Sequence, residues 1–226
     1  MLDTVTLTAG QCLPWDRVWA VLHDRAQQMD GAWAKKASFL RGVTEPQLMA
    51  VTSTFDGTTL TLDHPAAGQT SINPDDGGEA PALLDWLSRI WPADLPAPTG
   101  IYRANAPLTD VPEPWISINN LSSHRAVQDR AGQDLSIHRW RGNLWIDGLA
   151  PWEEFDWVGK EISIGPTRLE VAEPITRCKA TMANPETGKR DVDTLSLLRT
   201  WNHQEFGVYA RVIEGGDIAV GDPAGR

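Results

Sequence analysis

The sequence predicts a mainly β, barrel-like protein with a few short α-helices; an α+β arrangement is the alternative. Three observations predict it. Short stretches of alternating or β-prone apolar residues recur, turn residues separate them, and few segments carry helical spacing. Val5-Thr6-Leu7-Thr8 alternates as a strand does. After Ala9-Gly10-Gln11, Pro14-Trp15-Asp16-Arg17 leads into Val18-Trp19-Ala20-Val21-Leu22, an apolar run expected as a buried strand. Leu48-Met49-Ala50-Val51-Thr52 and Thr59-Leu60-Thr61-Leu62 flank Phe55-Asp56-Gly57, and Asp-Gly is a strong hairpin signal.

Residues 73–79 are rich in Pro, Asp and Gly and read as a loop. Leu83, Leu84, Leu87, Ile90 and Trp91 then fall at helical spacing, which predicts a helix near 81–91 ended by Pro92. Pro96 and Pro98 form a stiff connector, so the expected division is 1–98 and 99–226. In the second part, Trp115-Ile116-Ser117-Ile118 is a short strand. Asn120, Ser122 or Ser123 caps a helix through Val127, with Gly132 beyond its end. Leu144-Trp145-Ile146 is a strand, and Glu161-Ile162-Ser163-Ile164 pairs with Leu169-Glu170-Val171 across Gly165-Pro166. Asp193 or Thr194 caps a helix carrying Leu195, Leu198 and Trp201. The tail reads as a hairpin: Val208, Ala210 and Val212 alternate, Gly215-Gly216 turns, and Ile218 and Val220 alternate back.

Length and composition narrow the function classes. With 226 residues, 41% hydrophobic and 22% charged, the chain suits one large or two small soluble domains. Eleven tryptophans read mainly as packing. A net charge of −10 argues against a generic nucleic-acid surface, which needs clustered Lys and Arg. No segment approaches the roughly 20 apolar residues of a membrane span, and no secretory signal is visible. Cys12 and Cys178 make no disulfide framework, so cytoplasmic residence is the simplest expectation. Nucleotide loops, dense zinc spacings and the G-x-S-x-G elbow are absent, and the five histidines are scattered.

Two stretches carry chemistry. Cys178 lies between Arg177 and Lys179, and positive charge beside a thiol favours the thiolate, which is nucleophile, sulfur carrier and soft metal ligand. On a strand both neighbours would face away from the sulfur, so the argument works best in a turn or loop. A lone cysteine is otherwise a small buried hydrophobe. The second stretch is Arg139-Trp140-Arg141-Gly142-Asn143. On a strand Arg139, Arg141 and Asn143 would share a face and suit a phosphate or other oxyanion. The plainer reading is a pair of solvated or ion-paired arginines. Asp16-Arg17 reads by itself as a turn-closing salt bridge.

These pieces, in this order, resemble the MOSC family, named for the C-terminal domain of molybdenum-cofactor sulfurase. The likeness runs from about Ile101 to Asp222. It rests on Trp115-Ile116-Ser117-Ile118 with the helix after it, on Arg139-Trp140-Arg141-Gly142-Asn143-Leu144-Trp145-Ile146-Asp147-Gly148, and on the acidic, Trp-bearing residues 151–160. Thr176-Arg177-Cys178, Phe206-Gly207-Val208 and Gly216-Asp217-Ile218 complete it. Asp16-Arg17-Val18-Trp19 resembles a strand of the N-terminal β-barrel domain that accompanies MOSC domains in the amidoxime-reducing components. On that likeness 1–98 is a partial N-terminal domain and 99–226 the MOSC domain. The resemblance implies molybdenum cofactor (molybdopterin), with Cys178 as catalytic residue and molybdenum ligand. It implies Arg17, Arg139, Arg141, Asn143, Thr176 and Arg177 as cofactor contacts. Two departures stand out. Gly142 replaces a commoner proline. A first strand with a Y-P-(V/I)-K-(S/A) motif is expected before Met1-Leu2-Asp3, and a chain without it would have an open barrel edge and weakened cofactor retention, down to none retained.

Three functions follow from this reading. The first is a molybdenum-cofactor oxidoreductase that reduces N-hydroxylated or related oxidised-nitrogen small molecules. It would need a separate electron-donor protein, since no Fe–S cysteine pattern is present. The second is a sulfur carrier for cofactor or metal–sulfur maturation, holding a persulfide on Cys178 and served by a cysteine desulfurase. The third is a non-catalytic cofactor-binding module. None involves nucleic acid or a membrane.

Overall fold

The computed structural model describes residues 3–27 and 31–225. Met1 and Arg226, the outer limits of the expected division, lie outside them. In chain order the early strands are β1 (Thr4–Leu7), β2 (Trp19–His23), β3 (Thr52–Phe55), β4 (Leu60–His64), β5 (Gly68–Ile72) and β6 (Pro98–Arg103). Then come β7 (Ile116–Asn120), β8 (Leu144–Ile146), β9 (Glu161–Ile164) and β10 (Thr167–Thr176). The last are β11 (Glu205–Glu214), β12 (Gly216–Ala219) and β13 (Ala224–Gly225). The α-helices are α1 (Ala80–Leu87), α2 (Leu121–Ala131) and α3 (Thr194–Arg199). The architecture is the expected one, mostly strands in a β-barrel-like arrangement with few helices. No described helix is long and apolar enough to cross a membrane.

The chain forms two compact units. The first holds Met1–Asp16, Glu113–Cys178 and Asp193–Arg226; the second holds Arg17–Pro112 and Lys179–Val192. This partition follows the chain differently from the expected 1–98 and 99–226. Its physical reason is non-local pairing: β1, at the start of the chain, is hydrogen-bonded to β12 near its end.

In the first unit a sheet runs β13-β9-β10-β11-β7-β8, antiparallel except for the parallel pair β7–β8. Leu7, Ile116, Ile118, Ile162, Leu169, Val208, Ala210 and Ile218 bury their side chains in one core beneath this sheet and the β1–β12 pair. Alternation explains why: Thr167, Leu169 and Val171 of β10 and Val208, Ala210 and Val212 of β11 are buried while the residues between them are not. Asn120 caps α2 by accepting from the Ser122 N–H at 2.9 Å, and Asp193 caps α3 by accepting from the Ser196 N–H at 3.0 Å.

In the second unit β3, β4 and β5 form an antiparallel meander, while β2 pairs with β6. Val21, Leu60, Leu62 and Ile101 pack with Leu83, Trp86 and Leu87 of α1. The Asp56 turn forms as expected, its carboxylate accepting from the Thr58 and Thr59 N–H groups.

Four expected elements differ. Residues 48–50 belong to a 3₁₀ turn, Pro46–Ala50, because Pro46 and the Glu45 cap start a helical turn there; the hairpin arm begins only at Thr52. Helix α1 stops at Leu87, before Pro92, with the Leu87 carbonyl closing turns from Ile90 and Trp91. The tail is not a hairpin: β12 pairs with β1, Thr4 opposite Ala219 and Leu7 opposite Gly216. Only Gly215 separates β11 from β12, too short for the usual two-residue hairpin loop, so the chain bends away to a new partner. Finally, Arg139-Trp140-Arg141 is not a strand. Ile137–Trp140 is a 3₁₀ turn capped by Ser136, and Arg141 is left-handed at φ 55°.

Candidate functional site

That last difference rearranges the arginines. Without strand alternation they share no face. Arg139 is buried at 1% exposure, which excludes a solvated surface cation, whereas Arg141 is exposed. Asn143 turns to β7: its Oδ1 accepts from the Ser117 N–H and Oγ, both at 2.9 Å. Its Nδ2 donates to the Asp16 carboxylate at 3.0 Å. Asp16 is thus fixed by an amide, and Trp15 before it holds a left-handed φ of 64°. Strained backbone of this kind persists where surrounding contacts over-determine it. Arg17 falls in the second unit, also at positive φ (54°), and its carbonyl accepts from the Leu108 N–H.

Cys178 lies where the thiolate argument needs it, in a connector after β10, and it is exposed. Arg177 holds that connector. Its backbone continues the sheet, with N–H donating to the Gln204 carbonyl at 3.0 Å and C=O accepting from Gln204 Nε2 at 2.8 Å. Its guanidinium turns inward. Nε donates to the Phe206 carbonyl at 2.8 Å, one Nη to the Trp140 carbonyl at 2.8 Å, and the other to Asn119 Oδ1 at 3.0 Å. The planar fork suits three fixed acceptors better than an ammonium would. The Trp140 and Phe206 rings stack at 3.8 Å, and the guanidinium lies 5.8 and 5.7 Å from their centroids. Thr176 is exposed and donates through Oγ1 to Glu205 at 3.0 Å.

One chain of contacts therefore links the two stretches singled out in the sequence. It runs from Asp16 through Asn143 and Gly142 to Asn119, then through Arg177 to Cys178. Asn119 was not found by sequence reasoning. Its sequence signal is an asparagine directly after the strand run Ile116-Ser117-Ile118, which the adjacent Asn120, the helix cap, masks; its complete burial shows only in the structure.

Trp140 is locked from its other side by His124. The indole N–H donates to His124 Nδ1 at 3.0 Å, and His124 Nε2 lies 2.9 Å from the Leu135 carbonyl. Both bonds together require the neutral ring with its proton on Nε2. Burial first, then the nearby Arg139 and Arg125, holds the His124 imidazole below its ordinary value of 6.5, while the Leu135 carbonyl opposes this. The unfolded chain therefore binds the proton more readily. Stability from this group is complete above about pH 6.5 and is lost as pH falls through the folded value. Urea midpoints measured from pH 7 to 5 are expected to fall, and to fall less in His124→Gln. Equal slopes in both proteins would count against the lock.

Glu154 behaves oppositely. It is 1% exposed and accepts from Asn120 Nδ2 at 2.8 Å and from Ser123 Oγ at 2.8 and 2.9 Å. Burial pushes its carboxyl up despite these hydrogen bonds. Its stabilising contribution is therefore complete below about 4.5 and is lost as pH rises through the folded value. Glu154→Gln is expected to remove that pH-dependent loss. A variant whose midpoint follows the wild-type pH curve would disprove the assignment.

The MOSC domain family matches residues 106–224, more than half of the chain. The chain belongs to the MOSC family. Curated relatives named molybdenum cofactor sulfurase agree. That of Anopheles gambiae is 31% identical over 103 residues, 40% of this chain and 13% of the relative. That of Drosophila willistoni is 35% identical over 92 residues, 40% of this chain and 11% of the relative. That of Drosophila persimilis is 29% identical over 128 residues, 56% of this chain and 16% of the relative. The MOSC chain thus spans only a small part of these relatives. A crystal structure of YiiM from Geobacillus stearothermophilus matches with TM-score 0.38 and 19% identity, covering 48% of this chain and 52% of that one. This MOSC protein is accordingly related to molybdenum-cofactor proteins at the level of its domain.

Proposed function

We propose that the chain binds molybdenum cofactor, takes Cys178 as its ligand to molybdenum, and reduces N-hydroxylated or related oxidised-nitrogen small molecules. The observation that carries this reading is an exposed thiol on a connector pinned by Arg177 and linked through Asn119 to the Arg139–Asn143 turn. The residues present fit such a group. Among the described residues no cluster of three or more His, Cys, Asp or Glu could hold a metal. A metal here would arrive with its own organic ligand and take one soft protein sulfur. The Asn119 Nδ2 atom is buried without a hydrogen-bond partner and ends against Gly142, between Arg141 and Asn143.

When bound, the cofactor supplies the two-electron redox chemistry at its metal. The chain's own residues bind and orient it. Cys178 offers the sulfur, the exposed guanidinium of Arg141 offers charge to an anionic group, and Arg177 keeps the Cys178 connector in place. Arg139, Asn143 and Thr176 belong to the same unit as Cys178, whereas Arg17 belongs to the second unit. Electrons would come from a separate donor protein, and cytoplasmic residence suits such a pairing. The test is reduction of an N-hydroxylated compound by cofactor-loaded protein with a chemical electron donor. Loaded protein that turns over no such compound would sink the reductase assignment.

A second reading is favoured by the exposure of Cys178 itself. An accessible thiol can hold a persulfide delivered by a cysteine desulfurase. Incubation with a desulfurase and cysteine would then add one sulfur to Cys178 by mass without any metal. The unmodified mass would exclude it.

A further inference from the structure

We infer that Asn119 is a positioning residue for the Cys178 thiol, acting through the guanidinium of Arg177. The inference deepens the proposed use of Cys178 and rests on that reading only for its biological meaning. Asn119 is completely buried in β7. Its amide orientation is decided by Arg177: with Oδ1 accepting from the guanidinium at 3.0 Å, Nδ2 must point the other way. On that side it meets Gly142, where a Cβ would lie 1.7 Å from Nδ2. Gly207, at φ 73°, completes the slot: a Cβ there would lie 2.1 Å from Asn119 Oδ1 and 2.7 Å from the Ile118 carbonyl. Two glycines on different segments thus make room for one amide. Neither position tolerates a larger residue while Asn119 is present.

The arrangement has a consequence for the thiol. The Arg177 guanidinium donates to two backbone carbonyls, those of Phe206 and Trp140. It also donates to Asn119 Oδ1, an acceptor on a side chain that substitution can remove. Its loss removes one of the bonds that hold the guanidinium inward and so weakens the hold of Arg177 on its connector. Cys178 is the next residue. A loosened connector admits reagent more readily, so the thiol reacts faster.

The test is the alkylation rate of Cys178 by iodoacetamide at pH 7, followed by mass spectrometry on protein without cofactor. Asn119→Ala is expected to raise the rate at least threefold. Asn119→Asp keeps an oxygen for Arg177 and is expected to restore the wild-type rate. Ile72→Val, a core change in the other unit, controls for general loss of stability and is expected to leave alkylation unchanged. If Asn119→Ala does not fold, Asn119→Ser is measured in its place. An unchanged rate, or Asp behaving like Ala, would overturn the inference. Molybdenum content is read separately on the same proteins. Altered alkylation with no metal in wild type would leave the positioning role standing and remove the cofactor reading.

Discussion

Cys178→Ser is expected to lower molybdenum bound per chain at least about tenfold, the lower end of what disturbing even an outer-shell partner of a metal costs. The experiment is metal and pterin analysis of both proteins made in a host that produces the cofactor. Serine keeps the size and removes the soft sulfur that molybdenum prefers. The side chain is exposed, so the substitution should leave stability within about 0.5 kcal/mol. Loss of metal with an unchanged melting curve therefore isolates the ligand role. Equal, stoichiometric metal in both proteins would show that the sulfur does not hold it. Metal in neither would remove the enzyme reading for this chain and turn attention to persulfide transfer.

Arg177→Ala is expected to cost about 1.5–3 kcal/mol, the range for hydrogen bonds that involve a charged group. The substitution strips donors from the Phe206 and Trp140 carbonyls and from Asn119, and removes the cation from beside the stacked rings. Against a typical total of about 5–15 kcal/mol this is a large share. Arg177→Lys should fall between, because an ammonium cannot reach three divergent acceptors from one position. Urea unfolding followed by tryptophan fluorescence reports both variants. A cost below about 1 kcal/mol for the alanine variant, the worth of a single ordinary hydrogen bond, would show that the inward fork is not a staple. The prediction also separates two roles for this arginine. A residue that only touched cofactor would change metal content and leave the unfolding curve of cofactor-free protein alone.

What the sequence by itself determined was local or carried by ordered motifs. Alternation placed β9, β10 and β11, the Asp56-Gly57 turn placed the β3–β4 hairpin, and Asn120 and Asp193 announced two helix starts. The ordered motifs pointed to the family, and the condition that Cys178 sit in a loop was stated from side-chain geometry alone. What only the tertiary structure decided was long-range. The partner of β12 is β1, more than 200 residues away in sequence, and a local alternation pattern contains no information on which edge a strand will meet. Arg139 and Arg141 part company because a Ser136 cap starts a 3₁₀ turn, which cancels the two-residue period on which a shared face depends. Asn119 became visible only when β7, the Gly142 turn and Gly207 closed around it, since close packing of three segments is a property of their assembly and of no single stretch.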